Sequence, residues 1–128
     1  MLKIGIKNKE ELTVSAEHTA KIVQSGGLDV LATPMLIALM EKCAWKSVLN
    51  NLEKGTDTVG TFIEVKHFSP TPIGEHVWCQ SELISIDNRE LTFKIEAFDT
   101  HGSIGEALHK RFIVNPERLQ EKANQKLK

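Results

Sequence analysis

The chain has 128 residues, 41% of them apolar and 26% charged, and 16 basic against 17 acidic side chains leave a formal net charge of −1. That length carries one domain with a real core, and the balanced charge leaves no basic footprint for nucleic acid or for an anionic membrane. No apolar run approaches the ~20 residues that cross a bilayer, the first residues lack a signal-peptide core, and Cys43 and Cys79 are too few for a disulfide framework, so a reduced, cytoplasmic protein is expected.

Residues 12–16 alternate and read as a short first strand. Gly26 and Gly27 mark a flexible break before the main helix, expected from about residue 34 to about residue 52. Thr33 is a good N-cap, and Pro34 suits the first helical position because its missing N–H costs nothing there. Residues 35–40 are apolar without exception, the mark of a helix buried on all sides. Gly55 can end it in a left-handed conformation.

Strands follow with little interruption. Residues 58–68 alternate, with Val59, Thr61, Ile63, Val65 and His67 expected on one face. Pro70 and Pro72 keep residues 69–74 out of a ladder. A strand over 76–86 leads through a hairpin at 87–90 to the cleanest alternation in the chain: Leu91, Phe93, Ile95 and Ala97 against Thr92, Lys94 and Glu96. A turn at 99–102 and a strand over 104–114 complete the set. Pro116 opens a polar tail with a short helix that frays at its end. The pattern is α+β: an antiparallel sheet of about five strands wrapped around one long central helix, residues 1–128 forming a single domain.

Glu41 is the residue that breaks this pattern. It stands between Ile37 and Ala38 one turn before and Ala44 and Trp45 one turn after. A carboxylate so placed must find a partner, shift its pKa or line a cavity. In chemistry it would be a general base, a nucleophile or a water-orienting group; in structure, a carboxylate tied to Lys42, an arginine or backbone N–H groups. Thr33 serves as a cap, yet its hydroxyl also sits at the positive end of a helix, where a carbonyl or developing oxyanion is stabilised. Eight residues separate Thr33 from Glu41, about 12 Å of helix rise. The two therefore meet only around a bound ligand or across a subunit interface. His67 falls on an apolar strand face at the strand's end. His76 and His101 border turns and are expected at the surface, while His109 and Arg111 share one face of the last strand. Arg111 is a candidate partner for Glu41, for a phosphate or for a surface acid. The five histidines lack metal-ligand spacing, so no metal is expected. There is no nucleophile elbow, P-loop or dinucleotide motif.

The run Leu31-Ala32-Thr33-Pro34, then Leu39-Met40-Glu41, then Val59-Gly60-Thr61, then His67 before Thr71-Pro72 and Gly74, resembles the hot-dog-fold acyl-CoA thioesterases, closest to their fluoroacetyl-CoA thioesterase branch. Leu108-His109-Lys110-Arg111 is similar to that branch's His-Glu-Arg run. The resemblance spans residues 31–114. It implies a catalytic set of Thr33, Glu41 and His67, with Pro34, Gly60 and Arg111 on the substrate side. It also implies a homodimer, or a dimer of such dimers, with active sites at the subunit interface, an acyl-CoA as substrate and no further cofactor. In one respect the chain departs from the branch. Phenylalanines that cover the acyl group ahead of the Ala-Thr are absent here, and residues 23–29 carry Gly26 and Gly27 instead. Fluoroacetyl specificity is therefore not expected, and a different acyl group, larger ones included, is easier to admit.

Three other readings remain open. A non-catalytic module would hold an acyl-CoA or small acid in the same pocket. Hydration of an enoyl-CoA would want a paired Asp and His that this sequence lacks. A purely structural protein leaves Glu41 unexplained.

Overall fold

The computed structural model describes residues 1–128. Strands β1 (Lys7–Thr13), β2 (Asp57–His67), β3 (His76–Asp87), β4 (Glu90–Asp99) and β5 (Gly102–Val114) form one antiparallel sheet in the order β1-β3-β4-β5-β2. Helix α1 (Ala20–Val23) is a single turn, α2 (Thr33–Val48) is the long helix and α3 (Pro116–Asn124) closes the chain. This is the α+β hot-dog architecture, with α2 packed on one face of the sheet.

The core follows from the alternation. Leu91, Phe93, Ile95 and Ala97 are fully buried, and so are Val77, Cys79 and Leu83 on the neighbouring strand. They pack against Leu36, Leu39, Met40, Cys43, Ala44 and Val48, the sheet-facing side of α2. Each such Leu, Phe or Met side chain contributes about 1.5–3 kcal/mol on leaving water.

Four sequence expectations are corrected. First, α2 is not buried all round. Pro34 and Ala38 are exposed, and Met35, Ile37 and Glu41 only half-buried. One sheet covers one side of a helix, so the opposite apolar side lies bare. Second, Thr33 is the first helical residue and Ala32 holds the cap position without a side-chain hydrogen bond. Beyond Val48 the helix tightens into one 3₁₀ turn, Leu49–Asn51. Third, β1 starts at Lys7 and stops at Thr13. Pairing from Lys7↔Glu82 to Thr13↔His76 draws charged residues into an edge strand whose wet face hides the alternation. Fourth, β2 carries a bulge, its register against β5 shifting between Gly60 and Phe62. The extra residue reverses the side-chain phase. Thr58 and Gly60 therefore share the inner side with Ile63, Val65 and His67, and Thr61 is turned to solvent.

Strands β1 and β2 are the two sheet edges. Helix α3 is capped by the Asn115 side chain, which accepts from Arg118 N–H at 3.0 Å, and all its residues are exposed. No helix is long and apolar enough to cross a membrane.

Candidate active site

At the N-terminus of α2, the Thr33 hydroxyl lies 2.7 Å from His67 Nδ1. Three local choices free that hydroxyl. Ala32 occupies the cap, Thr33 is already helical, and Pro34 in the first turn has no N–H to satisfy. The backbone N–H of Thr33 finds no acceptor within the chain, so an unpaired donor and a hydroxyl sit together at the positive end of a 16-residue helix. His67 arrives from the last residue of β2. Burial lowers its pKa from the usual 6.5, and the Ser69 backbone pulls the other way. The ring is thus neutral near pH 7, and Nδ1 can accept the Thr33 O–H. Its other nitrogen, Nε2, is buried and makes no hydrogen bond. A cleft of about 310 Å³ opens over this pair, walled by Val30, Leu31, Phe68 and Pro70, with Ser25 and Ser69 at its rim.

Glu41 occupies a second cleft, two turns further along α2. That cleft, of about 340 Å³, is lined by Glu41, Lys42, Trp45, Thr58, Val59, Gly60 and Arg111. Gly60 is what lets these groups converge. A Cβ there would lie 2.9 Å from Glu41 Oε2, 3.2 Å from His109 Cε1 and 3.4 Å from Arg111 Nη1. Only a residue without a side chain permits that approach. Glu41 forms no ion pair; Lys42 pairs instead with Glu10 at 3.7 Å. Arg111 is buried and turned inward. Its Nε–H donates to Thr58 Oγ1 at 2.8 Å and Nη2–H to the Thr58 carbonyl at 3.0 Å. Burial pushes the Arg111 pKa down, while the charges of Glu41 and Asp57 push it back up.

The sequence-predicted residues thus fall into two groups. Thr33, Pro34 and His67 cluster at the helix start, and Glu41, Gly60 and Arg111 cluster two turns away. Within one chain the groups stay apart, as the spacing requires. Sequence reasoning gives His109 and Thr58 no role, although an inward histidine two residues before Arg111 is a visible signal. His76 and His101 are surface residues, pairing with Glu11 at 2.8 Å and Glu75 at 3.2 Å. Glu75, Asp99 and His101 form a compact group that residue spacing does not reveal. Its oxygens are taken by local hydrogen bonds: Thr71 O–H and His101 N–H donate to Asp99, and Thr100 O–H donates to Glu75. A further hollow, about 430 Å³ on the outer sheet face, has eight lining residues and none is hydrophobic. It offers no apolar wall to an acyl chain.

The two lowered imidazoles make stability pH-dependent. Burial is also the main cause for His109, aided by Arg111 and opposed by the Phe62 carbonyl and Glu41. A folded pKa below the unfolded value means that the unfolded chain binds more protons, so stability rises with pH. The contribution is complete above about pH 6.5 and is lost as pH falls through the folded values. The melting temperature is therefore expected to drop between about pH 7.5 and pH 5, with a shallower slope in His109→Gln. Parallel slopes for the two proteins would refute the assignment to His109.

The profile of the fluoroacetyl-CoA-specific thioesterase family, FlK, matches residues 14–117. A fluoroacetyl-CoA thioesterase of Streptantibioticus cattleyicolor is 34% identical over 98 residues, 77% of this chain and 70% of that protein. The chain belongs to this family. A crystal structure of the fluoroacetyl-CoA thioesterase FlK superposes with a TM-score of 0.92 at 27% identity, covering 98% of both chains. A variant of FlK solved with acetyl-CoA gives the same TM-score, identity and coverage. A thioesterase superfamily member from Thermus thermophilus, 21% identical, shares the fold with a TM-score of 0.90 over 98% of this chain and 93% of its own.

Proposed function

We propose that this protein is an acyl-CoA thioesterase, hydrolysing a thioester to the carboxylic acid and free CoA at a site completed by a second copy of the chain. The observation that carries this reading is His67. Its Nδ1 faces the Thr33 hydroxyl at the open start of α2, and no carboxylate of the same chain joins this hydroxyl–imidazole pair. Glu41 is a carboxylate without an intrachain partner, on the bare side of the same helix. Two antiparallel copies of α2 would bring each Thr33–His67 pair toward Glu41 of the second copy. The long edge strand β2 and the half-buried Met35 and Ile37 supply the apolar contact.

In this reading the thioester carbonyl lies at the start of α2, polarised by the Thr33 N–H and by the Thr33 hydroxyl once it turns from His67 to the substrate. Glu41 activates the water that adds to the carbonyl carbon, or attacks that carbon itself and forms an anhydride that water then hydrolyses. His67 moves the proton to the departing thiolate, so that acid and CoA-SH leave. Oxygen from labelled water appearing in the Glu41 side chain, or an acyl-enzyme trapped on it, marks the covalent route. Pro34 borders the carbonyl site, and the Gly60–Arg111 cleft takes part of the CoA ester. No added cofactor enters these steps.

The acyl group differs from fluoroacetyl in this proposal. Ahead of the helix the cleft is lined by Ala20, Ser25 and Val30, and residues 23–29 carry no aromatic side chain to cover the acyl group. The test is free-thiol release from short, branched, aromatic and long acyl-CoAs, with fluoroacetyl-CoA alongside. Turnover of members larger than fluoroacetyl-CoA is expected. Turnover of none, with thermal stabilisation by CoA esters, would make this a binding protein instead.

A further inference from the structure

We propose that His109 is the positioning residue of the Glu41 half of the site, fixing the Arg111 guanidinium through a single imidazole tautomer. The inference rests on the thioesterase reading and adds to it a residue with no contact to the reacting atoms. His109 is fully buried in β5, opposite Ile63 of β2. Its Nδ1 lies 2.8 Å from the Phe62 carbonyl and its Nε2 lies 3.1 Å from Arg111 Nη1. A carbonyl only accepts and a guanidinium only donates. The ring must therefore carry its proton on Nδ1 and present a bare Nε2 to Arg111. Protonation of Nε2 would replace that hydrogen bond by a clash of two positive groups.

The bulge in β2 makes this possible, because the Phe62 carbonyl that selects the tautomer stands directly after the register shift at Gly60. Arg111 is then held at three of its five N–H groups, two by Thr58 and one by His109. The His109 contact is the one on Nη1, the nitrogen that borders the space over Gly60 shared with Glu41 Oε2. Remove it and the guanidinium keeps its grip on Thr58 but swings at the end that faces the carboxylate. Displacements of about 1 Å in such a group cost up to about a hundredfold in rate.

Two isosteres separate the roles. In His109→Gln the amide oxygen replaces Nε2 as acceptor for Arg111; in His109→Asn the amide N–H replaces Nδ1 as donor to Phe62 and the Arg111 contact is lost. With the best acyl-CoA substrate, kcat is expected to fall about 10- to 100-fold in His109→Asn with little change in KM, and to stay within about tenfold of wild type in His109→Gln. In an Arg111→Met background, His109→Asn should cost little more. Equal losses in Gln and Asn, or losses that multiply in the double variant, would overturn the proposal. Nitrogen NMR of the imidazoles gives a readout independent of activity and of whether the variants fold. Wild type should show the Nδ1–H tautomer at His109 from about pH 6 to 8, and a proton on Nε2 would overturn the assignment. A wild type inactive on every acyl-CoA refutes the thioesterase reading alone, and the imidazole spectrum still decides the tautomer at His109.

Discussion

Glu41→Gln is expected to lower kcat on the best acyl-CoA by about a hundredfold or more, with KM and melting temperature close to wild type. The side chains are nearly isosteric, and Glu41 makes no ion pair within the chain, so the fold loses only its attraction for Arg111. Whether Glu41 attacks or activates water, the amide is a poor nucleophile and a negligible base. The selective loss of kcat is the informative part. A rise in KM with kcat unchanged would describe a residue that only binds the ester, and wild-type turnover would remove Glu41 from the chemistry. Comparison with Glu41→Ala separates the lost carboxylate from lost volume, since both variants should fall to a similar residual rate.

Much of the fold is legible in the residues alone, because both periodicities are local. The alternation at Leu91, Phe93, Ile95 and Ala97 and the apolar run of α2 are enough to place the core and the helix. Two features are hidden for a physical reason. An isolated glycine such as Gly60 is only a weak sign of a bulge, so simple alternation puts Thr61 on the wrong face and conceals that Gly60 confronts Glu41, His109 and Arg111. The cap of α2 depends on the φ and ψ of Ala32, whereas propensity favours Thr33. That one-residue shift matters chemically, since a threonine used as a cap spends its oxygen on the backbone while Thr33 keeps it for His67. The bare side of α2 is illegible for another reason. An apolar residue left uncovered on a helix looks the same in a sequence as one that faces the core.

That ambiguity yields a decisive experiment. If each site takes Thr33 and His67 from one copy and Glu41 from another, two inactive variants should restore each other. Thr33→Ala and Glu41→Gln homodimers each carry two damaged sites. In a mixed dimer one site collects both substitutions and the other collects neither. Random exchange of subunits at equal concentration makes half of the dimers mixed, so activity should climb to about a quarter of wild type from about a hundredth or less in either variant alone. Intrachain sites would show no recovery under any mixing, because every site would keep one substitution. Mixing at concentrations where the dimer exchanges, followed by thiol release, distinguishes the two. Recovery would place the Thr33–His67 pair and the unpaired carboxylate of Glu41 in one active site, which accounts for why the two groups stay apart within a single chain.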